Sequence, residues 1–173
     1  MTQAHIHATI GHPSNGTQAP PSEADGRTLG TRFGQVRIDG EREIAFPVGL
    51  LGFPGHRRYV LSELPDRPGP FKLLQAADDP DLGFLVLPLE REGGPIADDD
   101  LEAACAQLAI EGEALAVLGV VTLRPETAGV VATVNLKAPL LIDTARRRGW
   151  QVVLPSDGYD LRHPLAPGLP HVR

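Results

Sequence analysis

Short apolar runs, cut at intervals of roughly 8–14 residues by glycine or proline, set the limits on what this chain can fold into. Runs that short suit β-strands better than helices of several turns. The 19 glycines and 17 prolines supply the turns between them. No regular β-helix-β alternation appears, which argues against a doubly wound parallel sheet. The expected fold is mainly β: a small antiparallel β-barrel-like domain of about eight or nine short strands with one short helix.

Phe33 to Ile38 reads as a strand with Val36 and Ile38 on one face. Asp39-Gly40 is a hairpin signal, and Glu43 to Phe46 is the expected return strand. A Gly/Pro-punctuated apolar loop follows from Pro47 to Gly55. Tyr59 to Leu61 and Phe71 to Gln75 read as strands on either side of the turn-rich Pro65 to Pro70. Leu82 to Leu87 is apolar without a break, as in a strand buried on both faces. Leu115 to Leu123 and Val130 to Val134 read as two more buried strands, followed by shorter ones at Pro139 to Ile142 and Gln151 to Leu154. Tyr159 to Arg162 is the last readable element. The helix is expected after Asp99, with Glu102 completing a capping box and Gly112 at or just past its end. Leu101, Ala104, Cys105 and Leu108 then share one face.

This pattern occupies residues 28–165, a length that suits one domain with a core of its own. Aromatic residues are only 5%, so that core must be built from Val, Leu, Ile and Ala. Residues 1–27 and 166–173 read as tails, too poor in apolar residues to offset the entropy of ordering. Three histidines of the first tail, His5, His7 and His12, have nothing to orient them around a metal. No run approaches a membrane span, no signal-peptide h-region opens the chain, and the single cysteine forms no internal bridge. A cytoplasmic location is expected. The formal net charge of -6 suits a partner that is basic on its contact face and argues against direct nucleic-acid binding.

Sites for chemistry are hard to find. The glycine-rich loop at 49–55 lacks a Gly-Lys-Ser/Thr ending and precedes no helix, so it does not cradle phosphate. Asp78, Asp79 and Asp81 read as a solvated turn, and Asp98 to Asp100 as carboxylates favoured by a helix dipole. Cys105 reads as a packed core thiol. Arg146 to Arg148 before Gly149-Trp150 read first as a charged loop between two strands and second as a contact to RNA phosphates or a carboxylate-rich partner. No metal or cofactor is expected.

Three blocks carry a family resemblance. The first is Phe46-Pro47-Val48-Gly49-Leu50-Leu51-Gly52-Phe53-Pro54 with Arg58-Tyr59-Val60-Leu61. The second is Pro70-Phe71-Lys72-Leu73-Leu74-Gln75 running to Asp79, with Leu82 to Pro88 after it. The third is Thr133-Val134-Asn135-Leu136-Lys137-Ala138-Pro139-Leu140-Leu141-Ile142, then Gly149 to Leu154, Tyr159, Arg162 and Pro164. In order and spacing they resemble FliW, a family of flagellar assembly factors. The resemblance implies a β-barrel-like protein, not an enzyme, that binds flagellin and alternatively the translational repressor CsrA. Antagonism of CsrA by an allosteric route is implied, coupling flagellin translation to export. Departures occur at Leu89 to Ile96, charged and Gly-rich here, and at Asp143, where relatives often carry Asn.

Candidate partner-binding residues are Phe53 and Pro54 in the apolar loop, Arg57 and Arg58 after it, Asn135 in the third block, and Arg162. The alternatives are a flagellin chaperone without CsrA antagonism and a small enzyme using a barrel-mouth pocket. The oligomeric state is not readable.

Overall fold

The computed structural model describes residues 26–65, 69–127 and 129–165. Of the tail read at 1–27, residues 1–25 lie outside the described residues, as do the tail read at 166–173 and three positions of the turn read at Pro65 to Pro70; Arg27 opens a strand instead. In chain order come β1 (Arg27–Thr31), β2 (Gly34–Ile38), β3 (Glu43–Ala45), β4 (Arg58–Glu63), β5 (Lys72–Ala76) and β6 (Gly83–Leu89). Then follow α1 (Asp98–Leu108), β7 (Leu115–Glu126), β8 (Gly129–Asp143), β9 (Arg148–Gln151) and β10 (His163–Pro164).

From β3 to β8 the main sheet is an antiparallel meander, each strand pairing with the next. β9 closes it. It pairs antiparallel with residues 140–143 of β8 and meets β3 in parallel at Ala45 and Arg148. Closure removes both sheet edges and the risk they carry. β10 adds a short pairing to β8 at Val134.

Alternation sorts the side chains. Tyr59, Leu74, Val86, Leu118 and Leu140 point inward and pack with Ile44 and Phe46 into the barrel interior. The intervening residues face outward and need cover. The β1–β2 hairpin lies over Val60 and Leu73. α1 lies over Leu115, Val117 and Leu141. Leu165, Leu64 and Tyr159 pack against the patch of Leu85, Val121 and Val134. A continuous apolar run such as Leu82 to Leu87 is thus explained: one face fills the barrel and the other is covered.

Several expectations need correction. Asp39-Gly40 does not turn a hairpin. β2 pairs with β1, a strand not anticipated, and β3 pairs with β4. Asp39 instead accepts the Glu41 N–H and caps one turn of 3-10 helix. Val130 to Val134 and Pro139 to Ile142 are one strand, β8, because β9 and its extension take up the pairing that β7 drops between 135 and 140. Val130 and Val131 are exposed, not buried, because the β7–β8 hairpin runs on past the covered faces. The last pairing is at His163–Pro164 rather than Tyr159 to Arg162.

The helix also begins and ends elsewhere. It starts at Asp98 with Ala97 as its cap residue, so no Asp99–Glu102 box forms. It stops at Leu108, where Ala109 turns left-handed at φ 53°, before Gly112. Tyr159 supplies the missing cap: its hydroxyl accepts the Ala97 N–H at 3.0 Å and donates to Asp100 at 2.5 Å.

Candidate functional site: the loop over the barrel

The segment between β3 and β4 gathers three exposed large apolar side chains, Val48, Leu51 and Phe53, in one loop. Its two ends are tied together by Phe46 N–H donating to Arg57 O at 2.8 Å. Leu50 is buried in the barrel interior and anchors the middle. Gly49 makes the reversal at φ +71°; a Cβ there would sit 2.5 Å from the Phe53 carbonyl oxygen. Phe53 N–H donates back to Leu50 O, and Arg57 Nε donates to Pro54 O. Several of the loop's backbone groups are thus paired within the loop itself.

That order leaves apolar side chains in water. Val48 is 67% exposed, Leu51 58% and Phe53 37%, with Pro54 exposed beside them. Phe53 is neither free nor a plug. One face packs edge-on against Phe84 at 5.3 Å between ring centres, and Phe84 in turn lies against buried Tyr59. A rigid, half-open aromatic is the form an interface anchor takes.

Polar contacts fix the loop from two sides. Gln151 accepts the Leu51 N–H at 2.9 Å and donates to Ala138 O, while Asn135 accepts the Ala138 N–H at 2.9 Å. On the other side His56 Nδ1 lies 3.2 Å from Asp78. That hydrogen bond holds the Asp78 carboxyl below its usual range. Asp79 accepts the Asp81 N–H, so this acidic run is a turn that secures the loop.

The structure divides the sequence candidates. Phe53, Pro54, Arg57 and Arg58 share the loop and the strand it enters, although Arg58 leans on Glu43 at 3.7 Å. Asn135 is half-buried and serves the backbone, reaching the loop only through Ala138 and Gln151. Arg162 lies apart, exposed near β10. Sequence reasoning passed over Val48, Leu51 and Gln151. Apolar residues inside a turn-rich segment were the available signal for the first two; nothing marks Gln151.

Of the three consecutive arginines, Arg146 is engaged by Asp143 at 2.9 Å and Glu111 at 3.6 Å. The barrel interior is packed with side chains. The cavity of about 310 Å³ lined by Ile44, Leu61, Ala116 and Ile142 adds Arg42, Thr144 and Arg147, and no carboxylate among the described residues.

The family model described as FliW protein matches residues 28–165. The chain belongs to the FliW family. It is 37% identical over 137 residues to the flagellar assembly factor FliW of Geotalea uraniireducens, covering 78% of this chain and 81% of that one. It is 36% identical over 135 residues to that of Natranaerobius thermophilus, covering 77% and 87%. A crystal structure of the flagellar assembly factor FliW superposes with a TM-score of 0.64 at 28% identity, over 82% of this chain and 98% of that chain. The FliW match thus takes in the barrel, its three outer covers and the exposed loop. Among the described residues, no helix of this FliW-family chain is long and apolar enough to cross a membrane.

Proposed function

We propose that this chain is a protein-binding regulator of flagellum assembly that binds CsrA and antagonises it, and alternatively binds flagellin. Membership of a family whose relatives are flagellar assembly factors supports the assembly role. The pre-ordered apolar loop at Val48, Leu51 and Phe53 is the observation that carries binding as the mode of action. An interface of this kind loses little entropy on docking, because the loop is already fixed by Leu50, Gln151 and Asp78. Two partners drawing on one protein compete by mass action, so flagellin in excess sets CsrA free, and the chain released when flagellin is exported recaptures it.

The test is calorimetric titration against CsrA and against flagellin from the same organism. Both are expected to bind. Leu51→Asp, a change at an exposed position, is expected to weaken at least one of them by about tenfold or more without altering stability. Absence of binding to either partner by the unaltered chain would remove the proposal.

A further inference from the structure

A cavity of about 570 Å³ opens beside α1, away from the loop and sharing no lining residue with it. One wall is the helix face that carries Leu101 and Cys105; Ile110 and Leu115 complete an apolar floor. The rim is charged. Glu92, Asp98 and Glu102 stand around it with one cation, Arg91. None of these four makes an ion pair among the described residues. Three unpaired carboxylates over an apolar floor are a matched pair of features: apolar contact below and negative potential above.

We infer that this cavity docks a basic peptide segment, seating an apolar side chain on Leu101, Cys105, Ile110 and Leu115 and setting lysine or arginine against Glu92, Asp98 and Glu102. The volume lies within the range of sites that enclose several side chains. The rim rejects an acidic segment by like-charge repulsion and gives an apolar one no charge to complement. The inference does not depend on the loop reading, and the partner is defined by its chemistry alone.

Cys105 gives the cavity a single-site reporter, because it is the only cysteine in the chain and lines the helix wall, where it is 8% exposed. The experiment uses the full chain and three short fluorescein-labelled peptides of equal length: leucine–lysine, leucine–glutamate and serine–lysine. Binding is followed by anisotropy, and alkylation of Cys105 by mass spectrometry. The leucine–lysine peptide is expected to bind, to slow Cys105 alkylation, and to lose affinity as salt rises. Glu102→Lys is expected to weaken it about fivefold, on the scale of exposed ion pairs. Ala106→Trp, at an exposed helix position on the rim side, is expected to abolish binding by filling the mouth. Both variants change exposed residues, and their circular dichroism should match that of the parent.

Equal binding of the leucine–glutamate peptide, or binding indifferent to Ala106→Trp, would overturn the inference. So would alkylation already slow in the free chain and released by removing residues 166–173, which would give the cavity to this chain itself. Protection that grows with protein concentration alone would give it to a second copy, with the same consequence. Leu51→Asp, which bears on the loop, should leave peptide binding unchanged, so failure here is separable from failure of the loop reading.

Discussion

Tyr59 carries a hydroxyl that the barrel interior does not use. The side chain is fully buried, and its oxygen has no hydrogen-bond partner among the described residues. Burial, with Asp78 and Asp79 nearby, pushes its pKa up to about 12. Its ring is needed against Phe46 and Phe84, whereas the oxygen only adds a desolvation cost. Tyr59→Phe should therefore leave stability unchanged or raise it by about 1–2 kcal/mol in urea denaturation. Gly149 makes the opposite case: a Cβ there would stand 2.5 Å from the Phe46 ring, which is itself fully buried. Gly149→Ala should cost about 1–3 kcal/mol by the same assay, the usual cost of overpacking. Asp143 is buried and is held below the usual carboxylate range, first by the Arg146 N–H and then by the Arg146 guanidinium. A carboxyl depressed by the fold stabilises above its unfolded pKa of about 4, and that contribution fades as pH falls through the folded value. The urea midpoint should therefore drop more between about pH 6 and about pH 3 in the parent than in Asp143→Asn. Equal drops would contradict this role.

At the scale of elements, strands built on apolar alternation were legible, and those built on context were not. β6 announces itself by Leu82 to Leu87. β1 does not: Arg27–Thr31 holds one large apolar residue, Leu29, and exists because Arg37 and Val36 pair with it across a tight turn. Asp39-Gly40 has hairpin chemistry, yet tertiary pairing sends β3 to β4 instead. Pro139 read as the start of a separate strand; it lies inside β8 with its carbonyl accepting the Val152 N–H. The helix cap was unreadable because its donor and acceptor are 62 residues apart, Ala97 and Tyr159. That contact makes a prediction. Tyr159→Phe removes a cap and the bond to Asp100, and should lower stability by about 1–2 kcal/mol. Hydrogen exchange should quicken first in the opening turn of α1. Uniform loss of protection across the barrel would show that Tyr159 does more than hold the helix.

For the molecule as a whole, the barrel-like fold followed from the turn spacing, and the closure followed from a short strand, β9, that meets both β8 and β3. The candidate surface was half legible. Phe53 stood out as an aromatic among turn residues, but its exposure depends on Phe84 holding one face while Leu50 fills the barrel. Asn135 was a candidate from the sequence, but its link to the loop through Ala138 and Gln151 became visible only in the fold. What results is a packed barrel carrying a fixed apolar loop, on a chain whose formal net charge is -6. The most direct test of exchange between partners follows labelled CsrA by anisotropy while it is bound to this chain and flagellin is added. Anisotropy is expected to fall to the value of free CsrA as flagellin takes up the chain. A stable complex holding all three proteins, with CsrA still bound at saturating flagellin, would contradict it.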